Sequence, residues 1–167
     1  LGKVKLGSLL KDLPNAMIAP RDLQDSYNYF NEVRYMSAND AINGEINGIR
    51  YTSIFYNYYR SNGKLAYIIV TLPSTKKALL KSYDGFEEYF TKLYGEPEKK
   101  GNERRWRGND VLISMIPWGT HSEWAVQIIS TSTIREWTAM RKEQIEKEEN
   151  LSQEEKHALQ MEQNKKQ

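Results

Sequence analysis

Two histidines, His121 and His157, are the only imidazoles in this chain, the side-chain type best suited to proton transfer near neutral pH. His121 stands in Trp118-Gly-Thr-His-Ser-Glu123, where Ser122 and Glu123 supply the residue types of a hydrolytic triad. A triad needs base and nucleophile facing each other, which neighbours in sequence seldom manage. A loop histidine with ordinary solvation is the plainer reading, and an enzyme with a site near His121 is kept as an alternative. A zinc site usually takes three or four protein ligands. Two distant histidines without any cysteine do not assemble one, so neither a metal nor a cofactor is expected. His157 reads as an exposed helical residue.

The remaining candidates have simpler explanations. Gly44, Gly48 and Gly63 each follow an asparagine, so tight turns account for them and no phosphate-cradling loop is present. Glu87 and Glu88 flank an apolar helical stripe, and the Glu-Glu pairs at 148–149 and 154–155 lie in a charged tail where lysine partners are near. No carboxylate pair is placed for glycoside hydrolysis. The chain has no cysteine, which excludes disulfides, thiolate metal sites and thiol nucleophiles.

Two features point instead to binding. Lys99, Lys100, Arg104, Arg105 and Arg107 bracket Trp106, a mixture of cations and an aromatic ring of the kind that grips single-stranded nucleic acid. The competing reading is an edge strand that turns Arg105 and Arg107 to solvent, with Trp106 inward. The net charge of +2 adds no general electrostatic attraction, so nucleic acid is the disfavoured partner. The second feature is aromatic: eleven tyrosines and four tryptophans, many of them on Ile49 to Arg60. There Tyr51, Phe55 and Tyr59 share one face, with Ile54, Tyr56 and Tyr58 on the other. Either one face presents a row of rings to a partner, or the N-terminal segment or tail covers it.

The elements that must position these residues follow from pattern. Ser8 is placed to cap a short helix through Leu9, Leu10 and Leu13 that ends at Pro14, and Pro20 to open another. Val33 and Tyr35 alternate with polar residues, predicting a strand over 32–38. Ser61-Asn-Gly-Lys64 is a type I′ hairpin signal between Ile49–Arg60 and the apolar run Leu65–Leu72. Leu79, Tyr83, Phe86, Phe90 and Leu93 recur at helical spacing over 74–95, with Gly85 a weak point and Gly95 and Pro97 the stop. A three-strand meander is expected over 102–130, with Pro117 to Ser122 as a loop.

The length of 167 residues suits one domain with an appendage: an α+β domain at 1–132 and a charged helical extension at 133–167. The extension holds seven basic and eight acidic residues. Ser152 and Glu155 form a capping box within it, and its sparse apolar residues suit pairing with a second copy. No apolar run approaches the 18 residues of a membrane span. Leu1 in place of methionine fits removal of a native start, a signal peptide or a lipid-anchor cysteine.

The succession of hairpin, helix and meander carries a resemblance. Phe55 to Leu65 ending in Asn-Gly-Lys-Leu, Leu93-Tyr-Gly-Glu-Pro97, Trp106 before an isoleucine-rich strand, and the opening Val4-Lys-Leu-Gly7 look like exported or lipid-anchored bacterial proteins. The fold of those proteins is similar to the β-lactamase inhibitory protein and the small outer-membrane assembly lipoprotein family. The likeness covers 32–130, and the charged tail lies outside it. It implies an antiparallel sheet of five or six strands packed on a central amphipathic helix and an extracytoplasmic setting, and it transfers no catalytic residue. The function expected is a non-enzymatic binding module of the bacterial cell envelope that offers Tyr56, Tyr58, Trp118 and Trp124 to a protein partner. A nucleic-acid-associated protein using 99–107 is the second alternative.

Overall fold

The structure is a computed structural model and describes residues 5–20, 32–39, 42–118 and 123–150, together with Glu155 and His157. The chain divides into two compact units, Leu1–Ile134 and Arg135–Gln167. The described strands of the first unit open with β1 (Ala16–Ile18), β2 (Glu32–Ser37), β3 (Glu45–Ile46), β4 (Ile49–Arg50), β5 (Ser53–Tyr59) and β6 (Leu65–Thr71). Helix α1 (Lys76–Tyr94) then leads to β7 (Glu98–Lys100), β8 (Glu103–Arg107), β9 (Val111–Trp118) and β10 (Glu123–Ser130), and helix α2 (Thr131–Asn150) follows.

The expected α+β class on an antiparallel sheet is the observed one. The sheet is wider than the five or six strands expected, because eight strands join in the order β1-β2-β5-β6-β10-β9-β8-β7, with β3-β4 as a separate hairpin. Helix α1 carries the chain from the centre to the far edge. The meander β7 to β10 then returns until β10 lies antiparallel to β6, Val126 opposite Val70. The two outermost strands are three residues each, too short for alternation to reveal.

Turn chemistry explains most of the corners. Asn47 and Gly48 both take positive φ, 52° and 77°, as a type I′ turn between β3 and β4 requires. The β5–β6 corner differs from expectation: there Gly63 alone adopts positive φ, 65°. The Gly63 amide donates to the Tyr59 carbonyl at 2.9 Å and the Lys64 amide to Asn62 Oδ1 at 2.9 Å, closing a longer loop. The chain also breaks at Tyr51 and Thr52 between β4 and β5, so Tyr51 packs with Ile54 and Tyr56 in the core rather than beside Phe55. The opening helix expected after Ser8 is a single 3-10 turn, Leu10–Asp12. Pro117, expected in a loop, lies inside β9 opposite Trp124. It is tolerated because β8 pairs no further along β9 than Met115, which leaves Pro117 on an open edge where no amide is needed.

The core sits between α1 and one sheet face. Phe86 and Phe90 stack with centroids 5.8 Å apart, and Phe90 meets Trp106 of β8 at 5.4 Å. Trp106 is 1% exposed and donates its indole N–H to Thr91 Oγ1 at 3.3 Å. Gly85, expected to weaken the helix, leaves it unbroken. Its missing side chain is filled by the β3–β4 hairpin, since a Cβ there would lie 3.1 Å from Ile49 Cγ1. At the other end Gly95 takes φ 85° and its amide caps Thr91, ending the helix. Helix α2 starts two residues before the predicted extension because Ser130 is its N-cap, Oγ accepting from the Thr133 amide at 3.0 Å. Thr131 anchors that first turn through Asp110 Oδ1 at 2.6 Å. The capping box at Ser152 and the helix expected beyond Pro20 lie outside the described residues.

Candidate functional site

The aromatic row does not reach the surface. Tyr56 and Tyr58, proposed from sequence as partner contacts, are 2% and 1% exposed. Both belong to the main core, with Ile54, Ile68 and Phe86. The phenol of Tyr58 ends beside Ser8 and Asp12 of the opening segment, and burial pushes its pKa up. Phe55, Tyr59 and Tyr67 on the opposite face are buried as well. The hairpin is therefore covered on both faces and presents neither. Trp124 is half-buried, its ring edge-on to Tyr83 of α1 at 5.5 Å. Trp118 ends β9, and its side chain lies outside the described residues, as does His121. His157 is exposed, on a helical segment.

The second face of the sheet holds polar residues that sequence reading missed. Arg34 is 4% exposed, donates from Nε to Asn57 Oδ1 at 2.9 Å, and lies over the Phe55 ring at 5.3 Å. Arg34 and Asn57 are cross-strand partners in β2 and β5. Alternation predicts the strand but not what covers its polar face. Only a sheet buried on both sides brings an arginine and an asparagine inside together, and no local pattern signals that.

The basic cluster is divided by the pleat and largely neutralised. Arg104 turns toward α1, where its Nε meets Glu87 Oε1 at 2.8 Å and its guanidinium lies 5.9 Å from the Tyr83 ring. Glu87 raises the pKa of Arg104. Burial raises that of Tyr83, opposed by the Arg104 charge, and the Tyr83 hydroxyl donates to the Asn102 carbonyl. Arg105 pairs with Glu103 at 3.6 Å and Arg107 with Glu98 at 3.8 Å. Lys99 and Lys100 stand exposed on β7. Five cations in sequence thus become two exposed lysines and three arginines that each meet a carboxylate, spread over both faces.

The two edges of the sheet differ sharply. Strand β7 carries Glu98, Lys99 and Lys100, charges that discourage another strand from adding. Strand β1 reads Ala16, Met17, Ile18, with Met17 52% and Ile18 66% exposed. It pairs with β2 with Met17 opposite Met36. Flanking bonds from Ala19 N to Arg34 O at 2.9 Å and from Ala38 N to Asn15 O at 3.2 Å fix the phase of the ladder. Residues 15, 17 and 19 therefore bond inward, and the N–H and C=O groups of Ala16 and Ile18 point off the sheet. Among the described residues, no strand takes them up.

Two cavities lie among the described residues. One of about 190 Å³ lies between α1 and the sheet, lined by apolar and tyrosine side chains including Val70, Phe86, Phe90 and Val126. The other, an open cleft of about 500 Å³, lies between the β3–β4 hairpin and α1, with Arg50, Lys77 and Lys81 at its rim. Arg50 there already meets Glu45 at 3.4 Å. Among the described residues, no three His, Asp or Glu side chains gather as a metal site would require, and no helix is long and apolar enough to cross a membrane. Comparison with protein-family models, curated proteins and solved structures gives no match to this chain.

Proposed function

We propose that this chain is a non-enzymatic binding module that takes an extended segment of a partner protein along strand β1. The observation that carries the reading is the bare apolar edge of Ala16, Met17 and Ile18, set against the charged edge at β7. Outward N–H and C=O groups on alternate residues match an extended backbone, and exposed Met17 and Ile18 offer one apolar contact on each face. A peptide suits this edge better than a second copy. Two rigid sheets meeting over three residues would bury far less than the roughly 1,000 Å² of a stable interface. A flexible segment can follow the edge beyond β1. The cell-envelope setting implied by the resemblance belongs to the same proposal, and fractionation of cells producing the native gene product tests it.

The experiment is a screen of synthetic heptapeptides alternating β-branched and polar residues, followed by amide NMR of the full chain. The expected result is saturable shifts at Ala16 and Ile18 that Ile18→Pro abolishes. Proline there removes an outward N–H and leaves the ladder to β2 intact. Shifts that persist in Ile18→Pro, or that centre elsewhere, overturn the reading. A dimer dissolved by Ile18→Pro assigns the edge to self-pairing and overturns the partner.

Self-association through the C-terminal helix is a separate proposal, supported by Met140 and Ile145, each 45% exposed on α2. Light scattering should give a larger mass for the full chain than for a chain truncated after Ile134, beyond the residues removed. Two monomeric masses refute it.

A further inference from the structure

We propose that the cavity between α1 and the sheet is a binding site for a small uncharged aromatic molecule. Its volume of about 190 Å³ compares with the roughly 150 Å³ apolar cavity that takes up benzene in another protein. One or two fused rings fit within it. None of the lining residues is charged, so an ionic ligand would lose its hydration with no partner in return. Four of the lining side chains, Phe86, Tyr89, Phe90 and Tyr94, are themselves rings, whose faces and edges favour a further ring in offset or perpendicular contact. The sheet side is built from Val70, Ile113 and Val126, all at most 2% exposed, which fixes the floor. Access is at the C-terminal end of α1, where the lining residues Leu93 and Tyr94 are 56% and 39% exposed.

The site is independent of the β1 edge, so either proposal can fail without the other. The test uses the full chain titrated with benzene and with indole, observed through the methyl NMR signals of Val70, Ile113 and Val126. Saturable shifts at these methyls and a higher melting temperature are expected, with benzoate weaker by at least about tenfold because its charge must be desolvated. Val126→Phe should fill the space and abolish the shifts. Because a larger ring at a fully buried position can block folding, Val111→Phe, on a half-buried lining position, is the second variant, used once its circular dichroism is native. Absence of saturable shifts with both probes up to their solubility overturns the site. Benzoate binding as well as benzene, or benzene binding unchanged in folded Val111→Phe, also overturns it.

Discussion

Arg104 of β8 and Glu87 of α1 are joined Nε to Oε1 at 2.8 Å, a bond that ties the meander to the helix lying over it. Their side chains are 16% and 26% exposed, so the pair is screened less than a surface pair and desolvated less than a core one. Arg104→Met and Glu87→Gln are each expected to cost about 1–2 kcal/mol in urea unfolding. The double variant should cost less than the two together by about 0.5–1 kcal/mol, since each single change strands the other partner. Strict additivity would mean that the bond contributes nothing.

Trp106 should be the most sensitive position of the meander. It is 1% exposed and packs on Phe90, so Trp106→Ala is expected to lose about 3–5 kcal/mol. Trp106→Phe keeps the ring contact and strands only the Thr91 hydroxyl, and should lose less than half as much. Equal losses would show that the indole bond to Thr91, rather than packing, holds β8 to α1.

Gly85 offers a test of close approach against helix propensity. An exposed mid-helix Gly→Ala change gains about 1 kcal/mol. Here the new Cβ would stand 3.1 and 3.2 Å from two Ile49 carbons, so the gain should shrink or reverse. In an Ile49→Ala background the space is free and the full gain should return. An equal effect of Gly85→Ala in both backgrounds would remove the hairpin contact from the account.

Alkaline stability should depend on Tyr58. Burial raises its pKa in the folded chain above the ordinary value of about 10, so the folded state holds the phenolic proton more tightly than the unfolded state. The resulting stabilisation is complete below about pH 10 and is lost as pH climbs through the folded-state pKa. Urea midpoints between pH 9 and 11 should fall for the wild type, and fall less for Tyr58→Phe. Parallel curves would place the alkaline loss elsewhere.

The parts of the fold that were legible were those written in local period. The stripe from Leu79 to Leu93 and the strand pattern flanking Asn62-Gly63 each announce an element because the repeat runs for several residues. Strand β1, at three residues, is shorter than any such repeat, and the sequence reading passed over it. The site was less legible than the fold. That Tyr56 and Tyr58 form one face was readable; that both faces of their strand are covered was not, because alternation says nothing about what lies above a face. The pleat of the basic cluster was legible, with Trp106 inward and Arg107 outward, but the partners of its arginines were not. Glu103, the partner of Arg105, lies two residues along the same strand, but Glu87 and Glu98, the partners of Arg104 and Arg107, are found only once the register of β7, β8 and α1 is known.

One rim of the sheet is open and the other is guarded by charge, and this asymmetry limits stoichiometry. A strand laid along Ala16–Ile18 would occupy the one uncharged rim found among the described residues, so growth of the sheet by that route would stop at one guest per chain.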